Sequence, residues 1–256
     1  MYRWAFSALA VLCFAVNAQS IPDNAYRYKR SVIAEAQYVF GLDAPVSMLA
    51  GQIHQESTWR PDVCSPYACG LSQFTDDTRD YVNNKFPELD DGDVMNPKWA
   101  IKAQALYMGD LKKRISAIDE CNDYGFSLAA YNGGAGWIFR EKNLVEQQGG
   151  SRDQYWNSVE DVSARADWAK EENRHYPRKI IFSLQDLYKD DGWGGVEVCG
   201  DRAVDQESDS IVFKEKIVEQ TQPPQDDEPE KPAPSEPSDS VPDKKKAPWW
   251  QFWKHW

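Results

Sequence analysis

Residues 43–74 read DAPVSMLAGQIHQESTWRPDVCSPYACGLSQF, and this stretch decides the fold class. Asp43 is a helix-capping residue type and Pro45 suits a first helical turn. Val46, Leu49, Ala50 and Ile53 then recur at helical spacing, so the segment predicts an amphipathic helix with one buried stripe. Glu56 follows Ile53 by three residues and Leu49 by seven, which puts a carboxylate on that stripe, where charged groups are rare. Thr58 to Gly70 reads as a loop.

Outward from this segment the pattern stays mostly helical from Asp23 to about Ile217, with no strong alternating strand. Asp23 is expected to cap a helix that runs through Phe40 and stops at Gly41. A short helix is expected from about Thr75 to Asn84. Asn96-Pro97 opens a long one carrying Trp99, Ile101, Ala105, Leu106, Met108 and Ile115. An apolar helix from Phe126 to Asn132 ends at Gly133-Gly134, and a last one spans about Tyr176 to Tyr188. The expectation is a mainly α domain without internal repeats.

The chain has 256 residues with 41 acidic and 29 basic side chains, a formal charge of −12 that argues against a nucleic-acid partner. Hydrophobic residues make up 41%, enough for one core, while 15 prolines place part of the chain outside it. Arg3, the apolar stretch from Trp4 to Val16 and the residues Val16-Asn17-Ala18 read as a signal peptide over residues 1–18, with Gln19 as the mature start. Leu12 stands before Cys13 where a lipidation site needs a small residue. Residues 19–200 form the expected domain, and 201–243 an acidic, Pro-rich linker. The 222–248 stretch alone holds eight of the prolines and is expected to be disordered. Residues 244–256 form a tail with Lys244, Lys245, Lys246, Trp249, Trp250, Trp253 and Trp256.

Four cysteines remain after the leader, an even number in an exported chain. Three connectivities exist, and Cys64 with Cys69 and Cys121 with Cys199 is the favoured pairing. The spacings lack the Cys-x-x-Cys knuckles of a zinc site, and His54 and His175 have no partner pattern for a metal or a nucleophile triad, so no metal or other cofactor is expected.

Four segments occur in a fixed order: Glu56-Ser57-Thr58-Trp59-Arg60-Pro61-Asp62 with Ser65-Pro66 and Gly70-Leu71-Ser72-Gln73-Phe74; Asn96-Pro97 with Ala100-Ile101 and Tyr107; Leu128-Ala129-Ala130-Tyr131-Asn132-Gly133-Gly134; and Glu172-Asn173-Arg174-His175-Tyr176-Pro177-Arg178-Lys179-Ile180. Together they resemble the soluble-type (SLT) lytic transglycosylases, relatives of goose-type lysozyme, over about residues 25 to 190. The resemblance implies a lysozyme-like catalytic domain that cleaves the β-1,4 bond between N-acetylmuramic acid and N-acetylglucosamine in peptidoglycan. Glu56 would be acid and base, Tyr176 would bond near it, and Gln73 and Asn132 would meet the sugar. Tyr131 either joins the site or packs in the core, and Ser57 either orients substrate or caps backbone groups.

Chemistry agrees with that implication. A glycosidic oxygen is a poor leaving group, so its cleavage needs a carboxylic acid still protonated near neutral pH, which burial supplies. Two-carboxylate retaining enzymes need a second acid; Asp62, Asp76 and Asp77 are the nearest in sequence. The resembled family uses one glutamate and the substrate's own N-acetyl oxygen, closing a 1,6-anhydro ring. A hydrolase of the same bond and a non-catalytic wall-binding protein are the alternatives. Two departures stand out: Ser72 replaces the usual methionine and is expected to make one cleft wall more polar, and Pro177 is expected in a first helical turn. Of Trp59, Trp99, Trp137 and Trp156, most are expected in the core and one or two on sugar rings. The Lys/Trp tail suits a membrane surface or an envelope protein, or is a passive segment.

Overall fold

The computed structural model describes residues 19–89 and 92–200; the leader, the acidic linker and the Lys/Trp tail lie outside them. Within this range the chain is mainly helical. A 3-10 turn at Asp23–Arg27 precedes α1 (Lys29–Phe40), followed by α2 (Val46–Ser57), α3 (Asp76–Lys85), α4 (Pro97–Arg114), α5 (Glu120–Gly133), α6 (Ala135–Gln147), α7 (Asp167–Lys179) and α8 (Gln185–Asp190). A π turn at Ile180–Leu184 joins the last two helices. The only sheet among the described residues pairs β1 (Ala68–Cys69) with β2 (Phe74–Thr75), antiparallel.

α5 lies at the centre and packs against α4, α6 and α7, while α2 packs against α1, the π turn and α8. Phe126, Leu128, Ala129 and Ala130 bury the α5 core face, and Met48, Leu49, Ala50 and Ile53 bury that of α2. Both helices therefore enter one core by the faces that their spacing anticipates.

Helix starts follow side-chain capping where it exists. Thr75 accepts from the Thr78 amide, Asn96 from Lys98 and Asp119 from Asn122, each satisfying an amide that the helix leaves open. The caps expected from Asp23 and Asp43 are corrected. Asp23 opens the 3-10 turn and α1 begins at Lys29, while α2 has Pro45 at its cap position and no side-chain cap. Pro177 is also displaced from expectation: α7 begins at Asp167, so Pro177 lies inside it. A proline there removes one amide donor and crowds the carbonyl four residues back, and the ladder widens into the π turn three residues later. The helix α6 was not expected.

Cys64 is bonded to Cys69, and Cys121 to Cys199 across 78 residues of sequence.

Candidate active site

The C-terminal turn of α2 carries Glu56, and the chain reverses immediately after it through Thr58 and Trp59, both in the left-handed region. This conformation is rare for large residues and is retained here by packing. The Trp59 ring is fully buried, stacked parallel to Tyr28 at 6.1 Å and tilted on Trp193 at 5.3 Å, and its indole N–H donates to the Tyr188 hydroxyl. That hydroxyl in turn lies 2.9 Å from Nδ1 of His54, which is a core histidine. The pKa of His54 is lowered to about 4 by burial and by the charge of Lys179, so its imidazole is neutral.

Glu56 is 2% exposed. Tyr176, on α7, donates its hydroxyl proton to Glu56 Oε1. Gln52, one turn before Glu56, donates from Nε2 to the same hydroxyl at 3.2 Å, and its Oε1 accepts from Gln104 Nε2 at 2.7 Å. Gln104 also donates to the Leu49 carbonyl at 3.1 Å, which anchors the series on α4 and α2 together. Burial pushes the Glu56 carboxyl up to about 8; the Tyr176 hydrogen bond pulls against the rise, and the charge of Glu172 adds to it. At neutral pH Glu56 is therefore mostly protonated.

In front of Glu56 lies a cleft of about 210 Å³, lined by Gln73, Phe74, Thr75, Thr78, Tyr107, Tyr131, Asn132, Gly133 and Gly134. Among the described residues that line it, Glu56 is the only acid. Asp62, Asp76 and Asp77 are exposed and do not line it.

The loop between α2 and α3 is shaped by Gln73, which takes a left-handed backbone. Its Nε2 donates to the carbonyls of Val63 at 3.1 Å and Gly70 at 2.8 Å, which leaves its carbonyl oxygen for a ligand. Gly70 is required by geometry: φ is +80°, and a Cβ would fall 1.9 Å from the Val94 carbonyl oxygen. Asn132, in the last turn of α5, accepts from Asn173 Nδ2 at 3.0 Å, so its own Nδ2 remains to donate. Tyr131 serves both its expected roles. Its ring lines the cleft and packs on Phe74 at 5.8 Å and Tyr107 at 5.4 Å, while its hydroxyl donates to the Ser72 carbonyl at 2.8 Å.

Two expectations are corrected. Ser57 is fully buried away from the cleft and donates to the Ile53 carbonyl four residues back, so it caps backbone and does not meet substrate. Ser72 is also fully buried and donates to the Ala100 carbonyl at 3.2 Å, so it adds no polarity to the cleft wall. Tyr176 touches Glu56 from the protein side and is absent from the cleft lining. Of the tryptophans, Trp59, Trp99 and Trp156 are buried and Trp137 is half-buried. Sequence reasoning missed Gln52, Gln104, Tyr107, Thr75 and Thr78 as site residues. The spacing of Gln52 four residues before Glu56 was the available signal, since it places both on one helical face.

A family model for the transglycosylase SLT domain matches residues 31–154, which include Glu56, Gln73, Tyr131 and Asn132. The match covers just under half of the chain, so residues 31–154 are similar to that family. Among relatives, a membrane-bound lytic murein transglycosylase F of Maricaulis maris (strain MCS10) is 31% identical over 138 residues, covering 53% of this chain and 28% of that protein. The protein of the same name from Yersinia pestis (strain Pestoides F) is 31% identical over 152 residues, 57% of this chain and 29% of that protein. This chain thus spans less than a third of the length of either relative. The crystal structure of the 70 kDa soluble lytic transglycosylase from Escherichia coli matches with a TM-score of 0.45 and 19% identity, over 70% of this chain and 32% of that one.

Proposed function

We propose that this chain is a peptidoglycan lytic transglycosylase that cleaves the β-1,4 bond between N-acetylmuramic acid and N-acetylglucosamine, with Glu56 as acid and then base. One observation carries this: the only acid among the described residues lining the cleft is a buried carboxyl, held by Tyr176 and raised to about 8. Its proton goes to the glycosidic oxygen as the bond to the anomeric carbon breaks, and the substrate's N-acetyl carbonyl oxygen bonds to that carbon. The Glu56 carboxylate then takes the proton of the C6 hydroxyl, whose oxygen displaces the acyl oxygen and closes the 1,6-anhydro ring. The free Nδ2 of Asn132 and the free carbonyl of Gln73 supply a donor and an acceptor for the sugar's acetamido group. The lack of a second carboxylate among the described residues lining the cleft supports use of the substrate's own nucleophile.

Digesting purified sacculi and weighing the products tests this. Fragments one water lighter than hydrolysed muropeptides are expected. Hydrated reducing ends would assign a lysozyme-type hydrolase, and binding without soluble fragments a wall-binding protein.

The envelope is the proposed location, reached through the leader at residues 1–18; the relatives' names place those proteins at the membrane. No helix among the described residues is long and apolar enough to cross a membrane. Attachment is assigned to residues 244–256, with the tryptophans at the interface and Lys244 to Lys246 against anionic headgroups. Deleting these residues should lower association with anionic vesicles and leave cleavage of soluble wall fragments intact. Unchanged association would remove the anchoring role.

A further inference from the structure

Gly133 and Gly134 line the cleft, and a guanidinium lies against Gly133. Arg165, in the segment before α7, has a side chain only 6% exposed. Its Nε and Nη2 grip Glu141 at 2.9 and 3.2 Å, while Nη1 makes no hydrogen bond among the described residues. This uncommitted amino group lies on the backbone of Gly133, so close that a Cβ there would come within 2.2 Å of it and 2.5 Å of Asn173 Nδ2. Glycine at 133 is what lets a guanidinium reach the cleft wall.

A second guanidinium stands nearby. Arg140 and Arg165 both lie on Trp137, in the first turn of α6, with Cζ 4.8 and 5.3 Å from the ring centroid. Arg140 is exposed and has no carboxylate partner among the described residues. Glu141 neutralises Arg165, so the pair keeps one net positive charge on a chain of net charge −12. The Asn132 Nδ2 donor belongs to the residue before Gly133 in the same cleft lining.

We propose that Arg165 and Arg140, gathered on Trp137 near Gly133 of the cleft, form a carboxylate-binding subsite for the peptide substituents of the glycan. This rests on the peptidoglycan assignment above. A planar guanidinium with one edge locked and one amino group open is preset for a single charge-assisted bond, and fixing it in advance reduces the ordering that binding requires. The subsite would make the enzyme prefer strands whose peptides carry free carboxylates, and would fix the register of the strand in the cleft.

Co-sedimentation with native sacculi, and with sacculi whose free carboxylates have been converted to neutral amides, tests this, with fragment release read on the same samples. The full chain should bind native sacculi about tenfold more tightly than amidated ones, the scale of one charge-assisted bond. The net charge of −12 opposes this preference whereas Lys244 to Lys246 favour it, so the comparison with Arg140→Gln assigns it to the subsite. Arg165→Gln and Arg140→Gln should bring the ratio towards one, with the loss falling on KM, and Arg140→Lys should retain part of it. Arg140 is exposed, so its variants decide the matter if Arg165→Gln does not fold. Equal binding of both sacculi by the unmodified chain, or an unaltered ratio in Arg140→Gln, overturns the subsite. Preferential binding without any fragment release upholds the subsite and removes the transglycosylase assignment instead.

Discussion

Gln52 Nε2 donates to the Tyr176 hydroxyl over 3.2 Å, and this fixes the direction of the tyrosine's single proton. With that donor already in place, the hydroxyl proton goes to Glu56. The orientation of the carboxyl is thus set from Gln104 on α4, two hydrogen bonds behind Tyr176.

Tyr176→Phe removes a donor that favours the ionised form of Glu56. The carboxyl should rise above about 8, and turnover should fall by about 10- to 100-fold, as expected for a bond to a charged group. The alkaline limb of the rate profile on soluble wall fragments should move to higher pH. A limb that stays in place with the variant folded would show that Tyr176 does not act on the carboxyl.

Glu56→Gln keeps the shape and removes the proton source, so turnover should drop by about 10²- to 10⁴-fold while sacculus binding persists. Parallel loss of binding and turnover would mark Glu56 as a structural residue.

The same substitution tests the burial of Glu56 by stability. The folded-state pKa is raised from 4.5 to about 8, so the folded chain binds the proton more tightly than the unfolded one. Its contribution is fully present below about pH 4.5 and is lost as pH rises through about 8. Glu56→Gln should therefore melt higher than the wild type at pH 8 and lose that advantage towards pH 4.5. An unchanged difference across this window would contradict a buried, protonated carboxyl.

Two glycines with positive φ should behave differently. At Gly134, φ is +89° and a Cβ meets nothing within 4 Å, so Gly134→Ala should destabilise by about 1 kcal/mol from backbone strain alone. At Gly70 the same strain is joined by a clash with the Val94 carbonyl, and Gly70→Ala should cost about 3 kcal/mol or more. Thermal melts of the two variants compare them directly, and equal losses would refute the close approach of the Val94 carbonyl.

The helices that carry the site were legible because their apolar residues keep one spacing: α2 from Val46 to Ile53, and α4 from Trp99 onward. Glu56 stood out because it broke that stripe. Gln52 and Gln104 did not, since a buried amide that satisfies another amide looks in sequence like an ordinary surface residue. The helix α6 escaped notice because Glu141 and Lys142 are buried in it, the first paired with Arg165 and the second with Asp153, which masks the apolar period. Ser72 was misread for the opposite reason: it stands inside a motif, but its hydroxyl turns to a backbone carbonyl, as that of Ser57 does. Neighbours in sequence do not share a direction on a helix or a tight turn.

The Cys121–Cys199 bond has a mechanical meaning. A load applied through the chain beyond residue 200 reaches Cys199 and passes straight across the sulfurs to the start of α5. α8 and the π turn, which back the Glu56 helix, lie inside the covalent ring and are shielded from peeling. Tension from that side would then be borne by the central helix, and the Glu56 carboxyl would keep its surroundings under load.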